Sequence, residues 1–582
     1  SIKDFALPLA QACATLREAV AAGRTQGRLT PEPRPLHELW AFSDSARFVG
    51  RPAPLVQAEA IVTGAPVYAG DVRRPGMLYG RVLRAATSPE IVARPVAWNA
   101  AAARATPGFV ALVEDPLLVQ GNSSGLGIVA RTPGALDRIA AALAVQWQSD
   151  TSFEPGDLDE MLDIDRRLAA GGLSHQLADD PVDRDGPWDV DLRLDVPLAA
   201  HAPLEPRAAV ASFEDDALEL WVGSQDAFYV RDVIASMFGL DDDEVIVHTR
   251  RVGGAFGGRT ICTVELEAAV LARATKQPVK VQWTRAQEFR QGFHRPPSSH
   301  RIRARLDDGR VNDWWHGFAS GHIIFTNAAM PAWLQRLADF VGDMGVARGA
   351  VPPYAFAHRR IEHDQVRLPV LTGPWRGLGA GPNALAVESA MDECARRAGQ
   401  DPVAFRLAHI DDPRLVTVLK RAAAAAGNDA PRPGRRAGRG VACGIYKEAS
   451  YAAVIADVAV DARGRVKVER LWCAHDCGRV INPDQVRAQC EGNLVWGLGM
   501  VLAERLPVAG GGIAAENFFD LALPRIDEVP AMEIVLVETG HAPTGAGETA
   551  IVAAAGAIAN AVRDATGIRP TRFPVTPGAL LG

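Results

Sequence analysis

Gly253-Gly-Ala-Phe-Gly-Gly-Arg259 lies between a strand-like run, Val245 to His248, and an apolar helical stretch near Val264 to Ala274. Four glycines in six positions let the backbone approach a bulky anionic ligand, and the helix that follows turns free N–H groups toward it. The string is neither a G-x-G-x-x-G fingerprint, since Ala255 holds the middle position, nor a phosphate loop ending in Gly-Lys-Ser/Thr. Taken alone, a simple tight turn explains it equally well. Its surroundings alternate strand and helix: Leu218 to Val222 is a predicted strand, Phe228 to Phe238 a helix closed by Gly239, and Val279 to Trp283 a strand. Further on, Ala384, Val387, Met391, Cys394 and Ala398 mark one helical face, and Asp401-Pro402 supplies an N-cap and first-turn proline for the next helix. The expected class is therefore α/β to α+β, with several domains.

A chain of 582 residues exceeds one core and divides into about three to five domains. Residues 1–45 hold a helix from Leu7 to Ala22 and a proline-marked connection at Thr30 to Pro35, an arm and not a domain. Residues 46–150 read as a small α/β unit, with a β-rich run at Met77 to Leu83, a helix at Pro133 to Leu143 and a strand at Ala144 to Trp147. The acidic, glycine-bearing stretch 151–186 suits an exposed linker. The central unit is 187–430. Ala430 to Arg439, broken by proline and glycine, reads as a solvated boundary in preference to a nucleic-acid patch. The last domain, 440–582, holds a strand at Tyr451 to Val460 and a helix at Ile551 to Ala565.

With 48% hydrophobic and 23% charged residues and a net charge of −7, the composition is that of a globular protein without the clustered cations that nucleic acid or an anionic membrane requires. Small-molecule chemistry is expected. The seven cysteines form no C-x-x-C pair or ferredoxin-like quartet, so an iron–sulfur centre would have to lie on a partner. No apolar run reaches about 18 residues, and the first residues lack the pattern of a secretory signal. The compartment, cytoplasm or periplasm, is left open.

Three further strings carry chemistry: Pro374-Trp-Arg-Gly-Leu-Gly-Ala-Gly381, Asp476-Cys-Gly-Arg-Val-Ile-Asn-Pro483 with Gln489-Cys-Glu-Gly492, and Gly545-Ala-Gly-Glu548. In this order, with the glycine loop, they resemble the molybdenum hydroxylases of the xanthine dehydrogenase and aldehyde oxidase family. The pattern is that of the isoquinoline-oxidoreductase beta-subunit type, echoed again by His201-Ala-Pro-Leu-Glu-Pro206, Trp283-Thr-Arg285 and Gly292-Phe-His-Arg-Pro296. The resemblance runs from about Val49 to the C-terminus. It implies an aldehyde oxidase-type, hammerhead-like small α/β domain at 46–150 and two elongated molybdenum-cofactor-binding α/β domains at 187–430 and 440–582, the arm 1–45 belonging to the second of these. It also implies a molybdopterin cytosine dinucleotide whose dithiolene holds the molybdenum, with no protein side chain as a metal ligand.

By the same resemblance, Gly254, Ala255, Phe256, Gly257 and Gly258 form a cofactor loop, with Phe256 N–H and the Gln225 amide directed at the metal's oxygen. Packed-aromatic and helix-capping roles stay open for these two. Arg376, Gln489, Gly547 and Ser1 are further cofactor contacts; Asp476 and Glu491 match positions around the cofactor, or are architectural. Glu548 sits before a helix start whose dipole favours an anion, and the family's hydroxylation, with oxygen taken from water, needs such a base. Helix capping is its alternative. Arg376 is expected to hold developing negative charge on the substrate, a surface ion pair being the alternative. Trp375, Leu378, Thr260 and Glu448 are expected in the substrate pocket. Thr260 stands where purine-oxidising relatives carry glutamate, and Leu378 where they place an aromatic ring, so an aldehyde or another N-heteroaromatic compound is expected instead of a purine.

The implied partners are a small subunit with two iron–sulfur clusters and a flavin or cytochrome acceptor. A companion chain is also expected to supply a Gly-Gln-Gly segment, which this sequence lacks. Two alternatives remain: a cofactor-free scaffold subunit, or a serine hydrolase built on Gly121-Asn-Ser-Ser-Gly125, which formally matches G-x-S-x-G.

Overall fold

The computed structural model describes residues 2–24, 26–34, 49–150, 152–184, 186–214, 217–324, 342–427 and 436–581. Apolar runs and helical stripes that alternate along the chain are buried here by stacking helices on sheets. Phe109–Val113, Leu126–Ala130, Leu78–Leu83, Val279–Gln282, Ala208–Glu214, Ala217–Val222 and Val245–Thr249 pair in that order as one seven-stranded sheet, which thus spans the segments 46–150 and 187–430. The helix Val264–Thr275 lies against it so closely that residues 264–272 are all buried, Glu265 and Glu267 included. Gly80 permits that approach: a Cβ there would lie 2.5 Å from Leu271. Glu267 is partnered in this setting, pairing with Arg84 at 2.5 Å and accepting from Trp283 Nε1 at 3.0 Å.

Val190–Val196, Ser298–Asp307, Arg310–Gly321, His358–Val366 and His175–Asp179 form a five-stranded sheet. Arg436–Tyr446, Ser450–Val460, Val466–Asp476 and Ala531–Leu536 form a four-stranded one. The helix Ile551–Thr566 is built of small residues, and the strand beneath it carries Gly438 and Gly440, where a Cβ would overlap the helix backbone at Ala565 and Ala561. Small residues on both surfaces bring helix and strand into direct contact. That contact fixes where the preceding Gly545–Glu548 turn must sit. The helices Ala380–Arg397 and Pro483–Leu502 pack on the same helix, with Gly556 under Glu388 and Gly497 against Ala554.

Several expectations are met locally. Asp401 caps Pro402–Ala408 by accepting from Val403 N at 3.0 Å and Ala404 N at 2.8 Å. The helix Pro133–Leu143 forms over the expected residues. Residues 151–186, expected as an exposed linker, instead contain the helices Pro155–Leu162 and Ile164–Ala169 and the strand His175–Asp179, and Phe153, Leu158, Leu162 and Ile164 are core residues. The acidic composition misleads because most acids lie on the outer side of elements whose apolar residues are buried, and two of them, Asp163 and Asp165, pair with arginines of the five-stranded sheet, Arg193 with both and Arg301 with Asp165 at 2.6 Å. The boundary expected at 430–439 lies mostly outside the described residues, and its last part, from Arg436, is already strand. After Gly125 the chain continues as the strand Leu126–Ala130, which is no support for a nucleophilic serine at a strand-to-helix turn. Among the described residues no helix is long and apolar enough to cross a membrane.

Candidate active site

The glycine loop is held by side chains that converge on its backbone. Glu205 accepts from Gly253 N at 2.7 Å and pairs with Arg259 at 2.9 Å, tying the two ends of the loop to one carboxylate. Arg207, paired with buried Glu288 at 2.9 Å, donates to Gly258 O at 3.0 Å. Phe256 adopts a φ of +54°, uncommon for an aromatic residue, and Gly254 and Gly257 lie at +106°. A Cβ on Gly257 would overlap the Pro374 carbonyl, so only glycine lets this loop and the 374–381 loop touch. His201 bridges the same two loops, its Nε2–H donating to Pro374 O at 2.6 Å. Burial lowers its pKa to about 4, so the ring is neutral at physiological pH.

Gln225 does not cap the helix Ala227–Phe238; Asp226 does, accepting from Tyr229 N at 3.0 Å. Instead Gln225 Oε1 accepts from Gly257 N and Arg259 N, each at 3.2 Å, which leaves the amide NH2 as what this side chain can offer the cleft. Phe256 is 38% exposed at the cleft and rests on Trp496, ring centroids 4.8 Å apart.

Across the cleft, Glu548 is fixed at both oxygens. Oε1 accepts from Gly377 N at 3.0 Å and Oε2 from Tyr446 Oη at 2.7 Å. Tyr446 in turn accepts from Arg348 at 3.2 Å. Burial and the adjacent Glu548 both raise the Tyr446 pKa, which keeps the phenol a proton donor. Arg376 donates through Nε to Gly547 O at 2.7 Å and through Nη2 to Gln489 Oε1 at 3.0 Å. Burial pulls its pKa down to about 10, against the pull of Glu548, and it remains a cation. Asn493 donates to Gln489 O, Ala546 O and Gly547 O, so the helix Pro483–Leu502 carries the turn that presents Glu548.

Together these elements enclose a cleft of about 410 Å³ that brings Gln225, Phe256, Gly257, Thr260, Trp375, Arg376, Leu378, Gln489, Gly547 and Glu548 to one place. Gly254, Ala255 and Gly258 shape the loop behind it. Trp375 is 1% exposed, wedged between Arg295 and Trp496, and contributes a wall more than a surface. Glu448 faces a second cavity next door, Glu491 is exposed, and Ser1 lies outside the described residues. Asp476 is fully buried and used up by Arg414, Gly478 N and Thr539, an architectural role. Sequence reasoning missed Arg348, Pro374, Tyr446 and Lys447, which also line the cleft. No sequence signal marked the hairpin after Tyr446, since Lys447 and Glu448, with φ of +51° and +55°, fill a turn that ordinarily takes Asn-Gly.

The site suits a large ligand with polar edges. It has a glycine cradle closed to any side chain, an amide NH2 and a buried guanidinium as donors, and one oriented carboxylate. Among the described residues no His, Cys, Asp and Glu side chains are grouped as metal ligands.

Residues 188–410 and 420–530 match the models of two molybdopterin cofactor-binding domains. The chain is 31% identical over 564 residues to a nicotinate dehydrogenase subunit from Pseudomonas putida, covering 91% of this chain and 46% of that one. It is 30% identical over 585 residues to the isoquinoline 1-oxidoreductase beta subunit of Brevundimonas diminuta, covering 96% and 71%. It thus spans about half the length of the first and seven tenths of the second. Quinoline 2-oxidoreductase from Pseudomonas putida 86 superposes with a TM-score of 0.77 at 17% identity, over 91% of this chain and 97% of that one, and shares the fold.

Proposed function

Because this chain belongs to the molybdopterin-binding large subunits of the xanthine dehydrogenase family, we propose that it hydroxylates the carbon of an N-heteroaromatic ring or an aldehyde, with water as oxygen source. The supporting observation is convergence: a carboxylate oriented at both oxygens, Glu548, faces the same cleft as the glycine loop and the Gln225 amide. The cofactor, in its cytosine dinucleotide form, would be held by the backbone of Gly254 to Gly258, by Gln225 and by the Arg376–Gln489–Gly547 cluster. When bound, it supplies the two-electron sink for the oxidation. Glu548 takes the proton from the oxygen nucleophile, and the Gly377 N–H and the Tyr446 hydroxyl hold its carboxylate in place while it does so. The Arg376 guanidinium is already committed to Gly547 and Gln489, so it acts by fixing the Glu548 turn and adding positive charge beside it. Thr260 and Leu378 leave the pocket wall without the acid and ring that a purine uses.

The names of both sequence relatives refer to N-heteroaromatic rings, which favours that class over aldehydes. Electrons would leave to a small subunit with two iron–sulfur clusters and then to a flavin or cytochrome. The test is turnover of the purified molybdenum-replete complex on N-heterocycles and aldehydes with an artificial acceptor in ¹⁸O-labelled water. Labelled hydroxylated product is expected. Absence of turnover on every member of both classes overturns the proposal.

A further inference from the structure

Two cations stand at the mouth of the cleft with no ion pair among the described residues. Arg348 follows the short helix Met344–Ala347, and Lys447 is at the tip of the hairpin between Arg436–Tyr446 and Ser450–Val460. Their charged ends flank one phenol, with the Arg348 guanidinium 5.5 Å and the Lys447 ammonium 5.9 Å from the Tyr446 ring centre. Arg348 donates one hydrogen bond, to the Tyr446 hydroxyl. Neither has a carboxylate partner among the described residues, although most arginines near the protein's acids are paired. Both residues line the cleft of Glu548, and both also line the adjoining cavity of about 770 Å³.

Of the three acids that line that second cavity, two are engaged elsewhere, and the third, Glu448, is exposed and makes no ion pair with Arg348 or Lys447. Glu388 is consumed by Arg406 at 2.9 Å and by the Tyr354 hydroxyl, and Asp412 caps Pro413–Ala426 and accepts from Tyr451. Glu448, beside Lys447 in sequence, is an exposed residue of the same hairpin tip. The remaining wall is apolar, with Val351, Pro352, Val387 and Ile445. The hairpin holds Lys447 in a left-handed conformation that a lysine seldom adopts, and such outliers persist where position matters more than local comfort. An apolar passage that ends in two unpaired cations, next to an oriented base, selects a flat molecule with a negative group at its edge.

We propose that Arg348 and Lys447 form an anion-recognition subsite that makes the substrate an aromatic carboxylate. The carboxylate would sit between the two cations, which sets the distance from it to the carbon presented to Glu548. This reading rests on the hydroxylase function proposed above and adds the charge of the substrate to it. Lys447 is the better probe, because Arg348 also braces Tyr446 and so Glu548.

The experiment is calorimetric binding of pyridine-3-carboxylate and of its uncharged carboxamide to the molybdenum-replete complex, for the native protein, Lys447→Met and Lys447→Arg, with kcat/KM for each compound alongside. The native protein should favour the carboxylate by at least about tenfold, the worth of one charge-assisted hydrogen bond. Lys447→Met should abolish most of that preference, and Lys447→Arg should restore it. Equal binding of the two compounds, no binding of the carboxylate, or an unchanged preference in Lys447→Met overturns the subsite, while turnover of other N-heterocycles or aldehydes leaves the hydroxylase reading standing. Loss of pterin from Lys447→Met would assign the cations to the cofactor and overturn it too. A complex that turns over no member of either class fails at the earlier reading.

Discussion

The two walls of the cleft are built in opposite ways. The Gly253–Arg259 wall has its backbone gripped by Glu205, Arg207 and Gln225, all through bonds of 2.7 to 3.2 Å. In the Arg348 and Lys447 wall the two charged groups make, among the described residues, one hydrogen bond, from Arg348 to Tyr446, while Asn383 holds the Arg348 carbonyl at 2.9 Å and the hairpin tip is strained. On the proposed function, the first wall holds a permanent cofactor and so is rigid before the ligand arrives, and the second reads a passing substrate and so leaves its charges unspent. Glu548 lies between them. It is oriented by one backbone N–H from the 374–381 loop and one hydroxyl from the strand that ends in the hairpin.

The sharpest way to probe this arrangement is to disable the group between the walls. Glu548→Gln should keep the fold and the molybdenum but lower kcat by at least about a hundredfold, the usual cost of losing a general base. Near-normal turnover at full molybdenum content would reassign the residue. Next comes the rigid wall. Glu205→Ala leaves Arg259, 3% exposed, without its partner, which should cost about 3–5 kcal/mol locally and release pterin, as measured by denaturation and by pterin fluorescence of the purified protein.

The same wall should also weaken in acid. His201 has a folded pKa of about 4, below its ordinary 6.5 because of burial, so the unfolded chain takes up a proton that the folded protein refuses. Its contribution is present above about pH 6.5 and is lost as the pH falls to about 4, roughly 3 kcal/mol in all. Denaturation at intermediate pH values should show a shallower acid decline in His201→Gln than in the native protein; identical slopes would remove His201 from the account. The smallest effect is expected at Tyr446→Phe, which removes one of the two donors to Glu548. Turnover should fall about tenfold with molybdenum unchanged, and an unaltered kcat would show that Gly377 alone suffices.

What could be read from the sequence was what short-range chemistry marks. Asp401-Pro402 caps its helix, Gly239 ends another, and the glycine runs converge because their turns admit nothing larger. The groups that escaped are those defined by pairing across long stretches of chain. Arg348 meets Tyr446 across 98 positions, and no local pattern announces it. The stretch 151–186 looked solvated because its acids are many and most of them are exposed, yet Phe153, Leu158 and Leu162 sit in a small apolar core beneath them, while Arg193 and Arg301 pair with Asp163 and Asp165. Gln225 was found by resemblance, but its neighbour Asp226 performs the capping that local sequence suggested for it. Its hold on the glycine loop depends on a contact 32 residues away.

The most direct test is the molybdenum and pterin content of the native complex purified with full activity. The proposed function, in which Gly254 to Gly258, Gln225 and Arg376 hold the cofactor beside Glu548, predicts about one molybdenum and one pterin per copy of this chain. An active complex free of molybdenum would contradict it.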